Sequence, residues 1–199
     1  MYVSTGGIEV LSRVDPILGR FIAERGPVKR RLGGDSFNYI IFSILNQQIS
    51  GVVASKIFGR MREEVGEITP EGICRAGVAR LRSCGVSERK AACMSSIAGA
   101  VLDSKVDFDD LKARPDAEVE KILCAYPGIG RWTVEMVLIF CFNRPDVFSV
   151  LDFGVRMGFR ALHPRADIKR YKRLYSPYGT TATLYMWERA SAAKKALEH

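Results

Sequence analysis

Tyr126-Pro127-Gly128-Ile129-Gly130-Arg131-Trp132 begins the most telling stretch of this chain, and Asp146-Val147-Phe148 through Asp152 closes it. Pro127 removes a backbone donor and ends the helix before it. Gly128 and Gly130 have no Cβ, so the backbone there can take φ > 0 and come close to a ligand. The turn feeds a helix opening at Arg131, whose free N–H groups and dipole form an anion site suited to a DNA phosphate. The carbonyls of Cys124, Tyr126 and Ile129 line the same turn and can coordinate a monovalent cation such as Na+ or K+ bridging to that phosphate. The same residues also suit a plain corner between two helices, with glycines for packing. Asp152 lies among Phe148, Val150, Leu151 and Phe153, and apolar neighbours are expected to desolvate its carboxylate in part. It also stands where an N-cap for a helix opening at Phe153 is needed. Capping and catalysis are compatible roles. Together the turn and the carboxylate point to chemistry beside the phosphate backbone of DNA.

On both sides of this stretch the helical period dominates. Phe37, Ile40, Ile41, Ile44 and Leu45 recur at i, i+3, i+4, i+7 and i+8, the apolar face of a helix, with Ser36 as its expected N-cap. A second helix is expected over about Gly51 to Val65. Thr69-Pro70 reads as a cap followed by Pro at the first helical position, opening a short helix, with another around Val78 to Ser83. Ser87 is placed to cap a helix running to about Ser104, with Ala91, Met94, Ile97, Ala98 and Val101 facing inward. Further helices are expected from Asp116 to before Pro127, Arg131 to Phe142, Phe153 to Leu162, Asp167 to Tyr175 and Thr180 to Ala196. No strand alternation, fixed-period repeat or low-complexity linker interrupts them. The expectation is an all-α protein of ten or so helices. It forms two interleaved lobes, one of about residues 35–135 and one of 1–34 plus 136–196. The tail 197–199, Leu197-Glu198-His199, resembles the start of an expression tag.

The 199 residues are 47% hydrophobic, enough for a core, and no run is apolar for long enough to span a membrane. The amino terminus lacks the layout of a signal peptide. The net charge of +8 favours polyanionic partners. The five cysteines are dispersed with no Cys-x-x-Cys pair, as expected of reduced thiols in an intracellular protein without zinc or iron–sulfur ligands. Of the two histidines, His163 precedes Pro164 and reads as a helix-end residue rather than a catalyst. Neither a His-based triad nor a metal cluster is offered. The basic run Arg160, Arg165, Lys169, Arg170, Lys172, Arg173 suits either phosphate contact or a solvated helix face.

Four separated motifs make the hairpin reading specific. They are Leu45-Asn46-Gln47-Gln48-Ile49-Ser50, Cys84-Gly85-Val86-Ser87-x-x-Lys90, Leu123-x-x-Tyr126-Pro127-Gly128-Ile129-Gly130-Arg131-Trp132-Thr133, and Ser176-Pro177-Tyr178 with Trp187. In this order, over about residues 36 to 190, the chain resembles the helix-hairpin-helix (HhH-GPD) DNA glycosylase superfamily, in its 3-methyladenine DNA glycosylase II (AlkA-like) branch. Two positions depart from the family pattern. Leu151 stands where an Asp-Asp pair often has its first member, while Asp152 matches the catalytic second. Trp132 stands where lyase-type relatives carry a nucleophilic Lys, and a Schiff base needs an amine. The carboxyl-terminal iron–sulfur cysteines of endonuclease III relatives have no counterpart here. With only about 35 residues before Ser36, the amino-terminal β-lobe of larger bacterial members is expected to be missing.

The resemblance implies a monofunctional DNA glycosylase with its active site in the cleft between the lobes. Gly128, Gly130, Arg131 and Thr133 would bind phosphate. Gln48 would wedge into the gap left by an extruded base, unless it is a surface cap. Trp132, Trp187 and Met136 would line the base pocket, the two indoles attracting a cationic N-alkylated purine, unless the rings only pack a core. Asp152 would be catalytic. The expected partner is duplex DNA with damaged bases, met by a monomer in the cytoplasm or nucleoid, with no required cofactor beyond a structural Na+ or K+. Two rivals stand beside this reading. One is a superfamily glycosylase for uracil, mismatched thymine or oxidised guanine; the other is a non-catalytic hairpin module that only binds DNA.

Overall fold

The protein is described by a computed structural model covering residues 5–29 and 34–197, with side chains through 194. Residues 198 and 199 of the expected tag remnant lie outside the described residues. Twelve helices occur among the described residues: α1 (Thr5–Val14), α2 (Pro16–Arg25), α3 (Ser36–Asn46), α4 (Gly51–Val65), α5 (Pro70–Ser83), α6 (Glu88–Leu102), α7 (Phe108–Ala113), α8 (Asp116–Cys124), α9 (Arg131–Phe140), α10 (Phe153–Leu162), α11 (Ile168–Tyr175) and α12 (Gly179–Leu197). Three of these, α1, α2 and α7, add to the expected set. The two expected helices at Pro70 and Val78 form α5, kinked at Gly77 with φ 63°. The chain divides into a middle unit of α3 to α9, ending at Phe142, and a second unit of α1 and α2 with α10 to α12. The boundary after Phe142 corrects the expected division near residue 135. Helix α9 runs unbroken and packs on α3, which keeps all of it in the middle unit.

The middle unit is built on α3. Ile40, Ile41 and Ile44 are fully buried, each contributing about 2 kcal/mol of burial free energy. Its N-cap is Asp35, whose carboxylate accepts the Asn38 N–H, one residue before the expected Ser36. Ser50 caps α4 through the Val53 N–H, and Thr69 caps α5 through the Gly72 N–H. Ser87 occupies the N-cap of α6 but makes no capping bond through its side chain. Ala91, Met94, Ile97 and Ala98 of α6 are fully buried, as their spacing predicts, whereas Val101 is half-buried.

The second unit surrounds Leu11, Leu18, Phe148, Val155, Phe159, Tyr175 and Tyr185. At its base Asp15 is a buried carboxylate with four partners. It caps α2 through the Ile17 and Leu18 N–H groups and accepts from the Tyr175 hydroxyl, and it pairs with His163 Nε2 at 2.8 Å. His163 is thus a buried helix-end residue, the C-cap of α10. Burial first, and then the Asp15 contact, raises the pKa of the Tyr175 phenol well above its usual range.

Candidate active site

The segment leading to Asp152 is extended and stitched along α12 by two threonines. Thr180 Oγ1 donates to Arg144 O at 2.6 Å and accepts the Val147 N–H at 3.0 Å. One turn later Thr183 Oγ1 donates to Val147 O at 2.9 Å and accepts the Ser149 N–H at 3.2 Å. Asp146 anchors the start of α12 by accepting from Ser176 Oγ and the Gly179 N–H. These bonds satisfy a backbone without secondary structure of its own and fix where Asp152 emerges.

Asp152 is the N-cap of α10, its Oδ1 accepting the Val155 N–H at 2.8 Å. The same oxygen accepts the Trp187 Nε1–H at 2.7 Å. Two N–H donors thus converge on one oxygen of this side chain at the amino-terminal end of α10 and fix its orientation. Trp187 reaches it because residue 154 is glycine. A Cβ there would stand 2.7 Å from Trp187 Cδ1 and 3.2 Å from Asp152 Oδ1. One turn on, a Cβ at Gly158 would overlap the Met186 carbonyl, so α10 and α12 meet backbone to backbone. Of its apolar neighbours, Phe148 is buried and Val150 half-buried, while two others face solvent. Leu151 is 57% and Phe153 78% exposed, and Asp152 itself is half-buried. Those side chains point to solvent because the inward direction is taken by Trp187 and Val155.

In the middle unit the hairpin joins α8 to α9. The Ile129 N–H closes the turn on Tyr126 O at 3.0 Å. Its two glycines differ in kind. Gly128 has φ 98°, and a Cβ there would stand 2.9 Å from Cys93 Sγ, so the fold requires glycine. Gly130, the N-cap of α9, has φ −104°, and a Cβ there would meet nothing within 4 Å. The fold leaves that space open in front of the first N–H groups of α9. Arg131 is exposed, but its guanidinium is shared by Glu135 at 3.3 Å and Glu120 at 3.7 Å. Thr133 is buried and its hydroxyl accepts from Gln47 Nε2, which leaves its backbone N–H in the first turn as its means of binding an anion. Trp132 is half-buried and Met136 buried, one turn apart on α9.

Gln48 is exposed in the turn between α3 and α4 with φ 58°, a left-handed conformation uncommon for a residue with a side chain. Two residues that the motif reading gave no role support this turn: Gln47 Nε2 donates to Gly128 O, and Lys90 Nζ donates to Leu45 O and Gln47 O. The basic run on α11 is mostly exposed; Lys169, Lys172 and Arg173 line an open cavity of about 470 Å³ with Asp146, Phe148 and Ser176.

An all-helical fold carrying a Pro-Gly-Ile-Gly hairpin and a capped aspartate beyond it defines the helix-hairpin-helix class of DNA repair proteins. Residues 41–176 match the family described as HhH-GPD superfamily base excision DNA repair protein. The chain belongs to this family. It is 31% identical to DNA-3-methyladenine glycosylase 1 of Schizosaccharomyces pombe, over 91% of this chain and 82% of that protein. The solved structure of DNA-3-methyladenine glycosidase from Bacillus halodurans superimposes with a TM-score of 0.84 at 32% identity, covering 100% of both chains. That of the Schizosaccharomyces pombe 3-methyladenine DNA glycosylase in complex with abasic DNA gives 0.85 at 29% identity, covering 92% of this chain and 96% of that one.

Proposed function

We propose that the protein is a monofunctional DNA glycosylase excising alkylated bases, 3-methyladenine and related N-alkylpurines, in base excision repair, and that it acts as a monomer. The observation that carries this reading is Asp152, whose Oδ1 is fixed by the Val155 N–H and the Trp187 indole N–H and which follows the hairpin in the sequence. A module that only binds DNA gains nothing from a fixed negative charge there. The relatives named above for 3-methyladenine support the choice of lesion.

The hairpin grips the phosphate backbone through the N–H groups opening α9, with Gly130 leaving room for close approach. The carbonyls of Cys124, Tyr126 and Ile129 would suit a hard monovalent cation, since they are neutral oxygens along the end of α8 and the turn that follows it. Tyr126 O, which already accepts the Ile129 N–H, would offer its second lone pair. A cation held there would add positive charge beside the phosphate. Gln48 fills the stack as the damaged nucleotide flips outward, at a cost of a few kcal/mol. Trp187, Trp132 and Met136 contact the flipped base, whose positive charge favours an indole face. N-alkylation already weakens the glycosidic bond, so the leaving group needs little acid assistance. The Asp152 carboxylate stabilises the oxocarbenium-like sugar and orients or deprotonates the attacking water. The product is an abasic site in an intact strand.

The test is incubation with methylated duplex DNA. Alkali-labile sites should appear, and borohydride should trap no covalent enzyme–DNA adduct, because Trp132 offers no amine. Absence of alkali-labile sites overturns the activity, and a trapped adduct overturns the monofunctional assignment.

A further inference from the structure

The turn that presents Gln48 is held by one side chain from outside it, Lys90, and by one of its own, Gln47, which reaches out to the hairpin. Lys90, in the first turn of α6, donates Nζ to Leu45 O and Gln47 O, both at 2.7 Å. These carbonyls end α3, where a cation also complements the helix dipole. Gln47 Nε2 donates to Gly128 O at 2.9 Å and to Thr133 Oγ1 at 3.0 Å. Gly128 is the left-handed residue of the hairpin, and Thr133 lies in the first turn of α9. Gln48 has a left-handed φ of 58°, a conformation that persists where the surrounding structure supports it, and the bonds of Lys90 and Gln47 brace the chain immediately before it.

We infer that Gln47 is a positioning residue that couples the hairpin to the turn bearing Gln48, so that phosphate grip and base extrusion become one mechanical event. This rests on the roles proposed above for the hairpin and Gln48, and adds the link between them. The side-chain amide suits the task. It has two N–H donors, directed at a carbonyl in the hairpin turn and a hydroxyl in the first turn of α9. The hairpin is closed by its own Ile129–Tyr126 bond, so it survives loss of Gln47, whereas Gln48 loses its reference to the backbone grip.

Gln47→Glu tests this with two readouts on one protein. Fluorescence of 2-aminopurine beside a stable abasic analogue reports extrusion and wedge insertion; affinity for undamaged duplex reports the grip. At about pH 8 the new carboxylate faces the Gly128 carbonyl without a proton to donate. Extrusion should then fall about tenfold, more than the affinity for undamaged duplex that the added charge beside the hairpin costs; the uncharged Gln47→Leu should lose extrusion while that affinity stays within about twofold of wild type. The Gly128 carbonyl favours the protonated carboxyl and the Lys90 ammonium on Gln47 O opposes it, so as pH falls toward about 5 the donor is regained and extrusion should rise toward the wild-type level at that pH. Gln47→Leu, without donors, should show the deficit at both pH values. Normal extrusion by Gln47→Glu at about pH 8 overturns the coupling. So does an equal loss of grip and extrusion that pH does not relieve, which marks a merely structural residue. A wild-type protein that gives no extrusion signal at all overturns the proposed function itself, and the coupling with it.

Discussion

Trp187 donates its indole N–H to Asp152 Oδ1, the same oxygen that caps α10. The ring is therefore a partner of the carboxylate as well as a candidate contact for the base. A donor to an ionised acceptor is worth about 1.5–3 kcal/mol, and each 1.4 kcal/mol is about tenfold in rate. Trp187→Phe keeps a ring and loses the donor. Single-turnover excision should fall roughly tenfold or more on 3-methyladenine and on neutral hypoxanthine alike. Trp187→Ala should lose more on the charged base, through the missing cation–π contact. A phenylalanine variant as fast as wild type would show that the bond does not serve catalysis.

Asp152→Asn separates chemistry from architecture. Asn is as good an N-cap as Asp, and its oxygen can still accept from Val155 and Trp187. The melting temperature should stay close to wild type, excision should be abolished, and affinity for DNA should be equal or higher because a negative charge has gone. Residual excision near the wild-type rate removes Asp152 from the mechanism.

The two hairpin glycines should fail in different ways. Gly128→Ala meets Cys93 and a strained φ, so thermal melting should show a loss of about 1–3 kcal/mol. Gly130→Ala meets open space and should fold normally, yet weaken binding to undamaged duplex. Gly130→Asp adds a like charge and should weaken it further. Binding by the wild type should fall steeply with salt. Normal DNA affinity in both Gly130 variants would reduce the hairpin to a helix corner.

Cys93 packs beneath Gly128, and burial pushes its thiol from the usual 9.0 up to about 11. A raised folded-state value means the native protein keeps this proton after the unfolded chain has lost it. The resulting stability is fully present below about pH 9 and disappears as pH rises through about 11. The melting-temperature gap between wild type and Cys93→Ala should therefore be constant to about pH 9 and narrow above it. A gap independent of pH would mean the thiol is not insulated.

Much of this fold is legible in the chain because its helices carry local signals. The bounds of α4 and α10 follow from apolar spacing and from Ser50 and Asp152 as caps. Asp15-Pro16, an N-cap followed by Pro at N1, marks α2 just as clearly, but periodicity alone passes over it. Helix α7 has six residues, too few for a helical period to register. The site divides in the same manner. Asp152 and the hairpin stand in consecutive sequence and are readable. The contact of Gln47 with Gly128 joins residues 81 apart, and that of Trp187 with Asp152 joins residues 35 apart. Such contacts depend on packing that no local pattern encodes. Thr133 shows the same: its motif position names it for phosphate without saying which atom, and tertiary packing turns its hydroxyl inward to Gln47.

The backbone contact of α10 with α12 at Gly158 bears on the timing of each reaction cycle. With no side chain between the two helices at that point, the spacing of the main chains that carry Asp152 and Trp187 is set by direct backbone packing, and the Trp187–Asp152 bond holds the two side chains on that frame. The conformational entropy of orienting the carboxylate is spent once, when the chain folds. Each lesion then meets a group already in place, and the ordering left to every turnover is that of the nucleotide alone.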